Sequence, residues 1–313
     1  MTPLITVVHE VAGFQLASFR DRDGNPSVIN ETEARIARIA EGLRQCDRVQ
    51  WARADVALDD VTRLADEVHA PGYLAFLRTT STRSESVIDT QFVAPGVLPD
   101  TPVTSGAYDA ALRACASAVT AAQIVTGGER YAYALCRPPG HHAGHAFLGG
   151  YCYLNNAAVA ALALQRAGMR VGVLDVDYHH GNGTADILVR HPDVPFVSLH
   201  ASTLQAFPYV DTSPAVAQHR FVGFDAPPSD EAYLHQLDAH LGHFANVDAL
   251  VVSLGYDLIE GDPHGGWQMQ PAFFGVLASR LAALRVPLVV VQEGGYALGQ
   301  LAACARSLAE GLT

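Results

Sequence analysis

Asp175, Asp177 and His179 stand at alternate positions within residues 170–184, where an apolar run gives way to Tyr-His-His-Gly-Asn-Gly-Thr. Side chains of a β-strand alternate with a period of two, so a strand continuing through these residues would point all three to one face. Two carboxylates and an imidazole form a ligand set that suits zinc. The alternative is a hydrogen-bonded polar strand end. The Gly-Asn-Gly that follows ends the strand in a turn permitting close backbone approach, and ligands of open α/β sheets bind just outside the carboxyl ends of strands. Residues 136–145, Cys-Arg-Pro-Pro-Gly-His-His-Ala-Gly-His, add His141 and His142 on irregular backbone, where adjacent side chains can converge on one substrate. Ser-Leu-Gly-Tyr-Asp at 253–257 and Glu-Gly-Gly-Tyr at 293–296 contribute a third acidic ligand and a phenol. Three protein ligands with an open position mark a catalytic zinc, whereas a fourth strong ligand would mark a structural one.

The elements that must position these groups alternate in type. Apolar runs rich in Val and Leu at 131–136, 171–176, 194–199, 249–254 and 286–291 have the continuous character of parallel strands covered on both faces. Between them, 108–125, 155–165, 230–244 and 271–284 are Ala- and Leu-rich with a helical period, and Gly168 sits where it would close the second. The expected architecture is a three-layer α/β fold. Each strand runs into polar residues, at 137–142, 175–179, 198–200, Asp257 and 293–296, so one rim of the sheet collects the reactive groups.

Composition narrows the class. The 313 residues are 49% hydrophobic, and no Pro-, Ser- or charge-rich stretch marks a linker, which predicts one catalytic domain over 1–313. No apolar run reaches the ~18 residues of a membrane span, and the first ten residues lack a basic leader region, so a cytoplasmic location is expected. The five cysteines are widely spaced without a Cys-x-x-Cys pair, as in a reducing compartment. A net charge of −12 repels nucleic acid and anionic membrane and favours a cationic substrate.

Taken together, the motifs resemble those of the histone deacetylase and acetylpolyamine amidohydrolase superfamily, with its arginase-like α/β fold. The resemblance begins at Glu-Val-His-Ala-Pro-Gly-Tyr-Leu-Ala-Phe-Leu-Arg (67–78) and peaks at Arg-Pro-Pro-Gly-His-His (137–142), Gly-Gly-Tyr-Cys-Tyr-Leu-Asn-Asn (149–156) and Asp-Val-Asp-Tyr-His-His-Gly-Asn-Gly (175–183). It runs on to Glu-Gly-Gly-Tyr. It implies zinc ligands Asp177, His179 and Asp257, a catalytic pair His141 and His142, and an oxyanion-stabilising Tyr296. It further implies a potassium site formed by Asp175, Ser198 and Leu199 with the main chain of Asp177 and His179, and a substrate channel walled by Gly150, Tyr151 and Phe207. The implied substrate is an N-acetylated cationic amine, an acetylpolyamine or acetyl-lysine; the sequence assigns no oligomeric state.

The chemistry implied is amide hydrolysis. Zinc polarises the acetyl carbonyl and lowers the pKa of water, His142 serves as general base, and Tyr296 donates to the tetrahedral oxyanion. Asp175 beside His141 would favour its imidazolium. Two departures stand out. Where some members carry a second acid after the zinc-binding histidine, this chain has Asn182, which orients an imidazole without raising its pKa by charge and so leaves His142 the more readily neutral base. His264, in Gly-Asp-Pro-His-Gly, lies at a channel position where relatives carry an apolar or acidic residue, so it is a substrate-contact candidate that leaves polyamine selectivity open. Asp100 is read as a turn or cap residue, with substrate anchoring as its alternative. The short 79–102 segment suggests a less shielded entrance. Two other functions stay open, hydrolysis of a different or longer N-acyl group and non-catalytic metal-dependent ligand binding.

Overall fold

The computed structural model describes residues 4–10, 13–16, 29–88, 90–211, 214 and 216–313. In chain order the elements are β1 (Ile5–Val8), α1 (Glu33–Arg44), β2 (Val49–Ala52), α2 (Leu58–Val68), α3 (Pro71–Thr80), α4 (Ala107–Thr126), β3 (Tyr131–Ala134), α5 (Asn156–Arg166) and β4 (Val171–Asp175). They continue with α6 (Asn182–Leu188), β5 (Phe196–Ala201), β6 (His219–Phe224), α7 (Asp230–Leu241), β7 (Ala249–Leu254), α8 (Pro271–Ala283), β8 (Leu288–Gln292) and α9 (Leu301–Leu312). One eight-stranded sheet runs β2-β1-β3-β8-β7-β4-β5-β6, with every neighbouring pair parallel.

Burial of both sheet faces explains the apolar runs. In β7, Leu250, Val252 and Leu254 join the core under α1, α7, α8 and α9, while Ala249 and Val251 face the opposite core under α4, α5 and α6. The three-layer α/β expectation therefore holds, with a wholly parallel sheet. Gly168 takes φ +85° just past the end of α5, the left-handed conformation that closes a helix readily only with glycine. A third cluster, from α2, α3 and the near end of α4, packs against 148–154 and Tyr296 and supports the rim where the reactive segments emerge. Among the described residues no helix is long and apolar enough to cross a membrane.

One local expectation is corrected. β4 ends at Asp175, and residues 177–179 form a bend, so strand alternation does not carry through His179. The chain leaves the sheet because Asp175 turns back on its own backbone, its Oδ1 accepting the Asp177 N–H at 3.1 Å. Asp175 is thereby separated from the other two.

Candidate active site

Asp177, His179 and Asp257 converge where β4 and β7 end. One ligand atom from each lies within 4.8 Å of those of the other two. His179 Nδ1 is 3.2 Å from Asp177 Oδ1 and 3.1 Å from Asp257 Oδ2. Both carboxylates are fully buried. Glycines make this approach possible: a Cβ on Gly255 would lie 2.1 Å from Asp177 Oδ2, and one on Gly294 would lie 2.3 Å from Asp257 Oδ2. Backbone donors hold the carboxylates in place, with Gly294 N–H donating to Asp177 Oδ2 at 2.8 Å and Tyr178 N–H to Asp257 Oδ1 at 3.1 Å. Burial alone would lower His179, but its hydrogen bonds to Asp177 and Asp257 and their charges carry it up to about 10. Two buried carboxylates thus demand a positive partner, and with the imidazole they offer the oxygen and nitrogen donors of a divalent metal site.

His141 and His142 follow the Pro-Pro-Gly turn after β3, their rings 4.0 Å apart between centroids. Glu293 holds the turn, its Oε2 accepting from Gly140 N–H at 2.7 Å and His141 N–H at 3.1 Å. The two imidazoles have different partners. His141 Nδ1–H donates to Asp175 Oδ2 at 3.0 Å, and its Nε2 is 3.6 Å from Asp177 Oδ1. Burial pulls His141 down, yet Asp177, Asp175 and the hydrogen bond to Asp175 raise it to about 10. His142 Nδ1–H donates to Asn182 Oδ1 at 2.7 Å, leaving Nε2 with its lone pair. Burial first, then the charges of His141 and His179, hold His142 well below the ordinary histidine range, while the bond to Asn182 acts weakly the other way. The two histidines differ in the expected direction: burial lowers both, and the carboxylates of Asp177 and Asp175 outweigh it only at His141.

One cavity of about 480 Å³ gathers these groups; His141, His142, Asp177, His179, Asp257 and Tyr296 all line it. Its walls include the other expected residues, Gly150, Tyr151, Phe207 and His264. The Phe207 ring is 4.6 Å from that of His142. Gly150 has φ +52°, and a Cβ there would come within 2.2 Å of His142 Cδ2. Tyr151 is left-handed at φ +68°, an unusual conformation for a bulky residue, and its ring faces those of His264 and Tyr296. The Tyr296 phenol is held far above its ordinary pKa, by burial foremost and against the opposing charge of Arg35, so it is a proton donor at neutral pH. Burial, with His179 and Arg35, takes His264 down to about 4, and its neutral Nε2 accepts from Asn30 Nδ2 at 3.0 Å.

Several residues lie elsewhere than expected or went unread. Asp100 is in the cavity wall, where both carboxylate oxygens accept from Gly150 N–H at 3.1 Å. The 79–102 segment, of which residue 89 lies outside the described residues, contributes 96–100 to the same wall. Asp175, at the end of β4, and Ser198 and Leu199, in the middle of β5, do not line the cavity, and Asp175 and Ser198 are paired in register. Ser198 Oγ is buried without a hydrogen-bond partner. His145, His180 and His200, which the sequence offers as packing residues beside the motifs, and Cys152, which it offers as a buried wall residue, do not line the cavity. Arg35 and Asp262 carried no signal as site residues. Arg35 is fully buried, donates to Gly295 O and Glu293 O at 2.6 Å each, and lies 4.4 Å over the Tyr296 ring; nothing in a lone helical arginine announces that. Asp262 could have been flagged as a turn aspartate from Gly-Asp-Pro-His-Gly.

Residues 29–312 match the histone deacetylase domain family. The acetylpolyamine amidohydrolase of Mycoplana ramosa is 34% identical over 299 residues, covering 81% of this chain and 87% of the relative. That of Burkholderia pseudomallei (strain 1710b) is 42% identical over 216 residues, covering 66% of this chain and 63% of the relative, just under two thirds. The crystal structure of an acetylpolyamine aminohydrolase from Burkholderia pseudomallei superposes with a TM-score of 0.85 at 32% identity, over 99% of this chain and 98% of the other. The chain belongs to the histone deacetylase family, and its similarity extends along most of its length to relatives named as acetylpolyamine amidohydrolases.

Proposed function

We propose that this chain is a zinc-dependent deacetylase that hydrolyses the amide of an N-acetylated cationic amine, an acetylpolyamine or acetyl-lysine, to free amine and acetate. The observation that carries the proposal is the convergence of Asp177, His179 and Asp257 with His141, His142 and Tyr296 in one cavity. Relatives named acetylpolyamine amidohydrolases support the substrate class, and a net charge of −12 favours a cation over nucleic acid. The proposed enzyme is a single catalytic domain over 1–313, supported by its one continuous sheet, and is cytoplasmic, supported by five buried unpaired cysteines.

In this mechanism Asp177, His179 and Asp257 would hold the zinc, which when bound would polarise the acetyl carbonyl and lower the pKa of water. The chain's own groups then divide the proton work. His142, kept neutral with its Nε2 lone pair available, takes the proton from attacking water. His141, charged through Asp177 and Asp175, supplies a proton to the departing amine. Tyr296 donates its phenolic hydrogen to the oxyanion of the tetrahedral intermediate. Gly150, Tyr151, Phe207 and His264 form the wall along which the aliphatic amine chain lies, with the small Gly150 leaving room against His142.

Asp175, Ser198 and Leu199, with the main chain of Asp177 and His179, form the proposed potassium site. Its support is the buried, unpartnered Ser198 Oγ beside a buried carboxylate, an oxygen-rich environment suited to a hard monovalent cation. A fixed positive charge there stabilises Asp175.

The test is a side-by-side comparison of the zinc-loaded protein on acetylputrescine, acetylspermidine and an acetyl-lysine peptide, following acetate release. At least one is expected to turn over with kcat/KM above 10⁴ M⁻¹s⁻¹, roughly the lower end of the usual enzyme range. Cleavage of longer acyl amides with none of these three would overturn the proposal.

A further inference from the structure

Asp262 accepts four backbone hydrogen bonds on one carboxylate, and they come from two different loops. On one side Oδ1 accepts from His264 N–H at 2.9 Å and Gly265 N–H at 3.2 Å. On the other, Oδ2 accepts from Tyr296 N–H at 2.6 Å and Ala297 N–H at 2.9 Å. The residue is 5% exposed and absent from the cavity lining; it meets Tyr296 and His264 through their backbone N–H groups, and its charge is felt by Asp257 and Arg35.

The loops it joins carry different parts of the machinery. The first follows β7 and bears Asp257 and His264; the second follows β8 and bears Tyr296. Tyr296 comes after Gly294 and Gly295, the latter at φ +110°, a conformation that glycine adopts freely and leaves readily. The Gly-Gly link therefore does little by itself to fix where the phenol points. Its peptide N–H is fixed from outside by Asp262, and the same carboxylate sets the backbone of His264, whose ring meets the Tyr296 ring at 4.6 Å between centroids.

We propose that Asp262 is a positioning residue for the reaction, clamping the 257–265 loop to the 294–297 loop so that the Tyr296 phenol and the His264 ring are held in register over the cavity. The proposal rests on the deacetylase reading above, because a phenol that stabilises an oxyanion needs its oxygen set to within a fraction of an ångström. A misplacement of about 1 Å can lower a rate by 10²-fold. An asparagine at 262 keeps the shape and gives up half the clamp: its amide oxygen serves one loop, and its NH2 faces two N–H donors of the other.

The test is a double-mutant cycle on the zinc-loaded enzyme with Asp262→Asn, Tyr296→Phe and the two combined, measuring kcat, KM, zinc content and thermal midpoint. Asp262→Asn is expected to lower kcat by about ten- to a hundredfold with zinc retained and KM little changed. Tyr296→Phe is expected to lower it by about 10²- to 10³-fold, and the double variant should fall no further than Tyr296→Phe to within about twofold. If Asp262→Asn does not fold, Asp262→Ser, whose hydroxyl still accepts from one loop, takes its place in the cycle. Effects that multiply overturn the clamp while leaving the phenol's role intact; a fully active Tyr296→Phe overturns both; and failure of both Asp262 variants to fold assigns the residue to stability and overturns the clamp.

Discussion

Asn182→Asp is the sharpest perturbation of the proposed acid–base pair, because it adds one charge and almost no volume. Asn182 Oδ1 accepts from His142 Nδ1 at 2.7 Å, and both residues are buried. Asn182 is also the first residue of α6, where a negative charge is favoured by the helix N-terminus, so the new carboxylate should be tolerated and ionised. A unit charge about 4 Å from the imidazolium, at an effective dielectric constant of ~20, contributes ~4 kcal/mol. At 1.36 kcal/mol per pH unit that sets a ceiling of about three units, and opposite charges at this range commonly raise a histidine by about one to three. The direction follows from the role. Burial foremost, with the charge of His141, holds His142 low, so it is neutral and basic over the working range; a carboxylate stabilises its protonated form, which cannot accept a proton.

The acid limb of kcat/KM against pH should therefore move up by about one to three pH units, with kcat/KM falling about tenfold per unit of displacement at pH below the original limb and by less between the two limbs. Well above it, the variant should equal or exceed the native enzyme, its base being stronger. The assay is a pH profile of kcat/KM on an acetylpolyamine, with zinc content measured at each pH, since Asn182 is not among the metal-binding residues. A profile that stays in place or moves down while zinc remains bound would refute the assignment of His142 as the base.

Four further outcomes follow from the same geometry. Asp177→Ala or Asp257→Ala should abolish stoichiometric zinc binding and activity together, and full zinc occupancy by metal analysis in both would remove the metal assignment. His142→Ala should lower kcat by about 10²- to 10⁴-fold while zinc stays bound, read from kinetics and metal analysis on one preparation. Gly150→Ala strains a φ of +52° and drives a methyl to within 2.2 Å of His142 Cδ2, so the ring must shift; kcat should drop about 10²-fold with zinc retained. Rising ionic strength should reduce kcat/KM for an acetylpolyamine and leave a neutral acetamide nearly unaffected, because at 0.1 M salt the field of the acidic chain reaches only ~10 Å.

What the sequence made legible depended on how local each signal is. The strands it disclosed, β3, β4, β5, β7 and β8, occupy the interior of the sheet, where burial on both faces demands an unbroken apolar run. β6, an edge strand, reads His-Arg-Phe-Val-Gly-Phe with exposed and half-exposed positions, and β2, at the other edge, is only partly buried, so neither presents that run. α1 and α9 were hidden for a different reason. Gly42 in the last turn of α1 and Gly311 in the last turn of α9 are poor helix formers that weaken the signal where each helix closes, yet α1 needs Gly42 because a Cβ there would lie 2.0 Å from Ala302 O on α9.

The candidate site divides along the same line. Asp177, His179, His141, His142 and Tyr296 stand out because reactive residue types cluster at strand ends, a pattern visible within a dozen residues. The inference that alternation would align Asp175 with Asp177 and His179 failed because β4 ends at Asp175; the chain then bends, and the second carboxylate beside His179 comes from Asp257, some eighty residues on. Arg35 reaches Gly295 across a separation of 260 positions, and Asp262 reaches Tyr296 across 34. Such long-range partners have no local spacing to betray them. In the mechanism proposed above, the two hold a phenol on a Gly-Gly link where its hydrogen meets developing charge, a positional role that residue type does not encode and that only the fold brings into view.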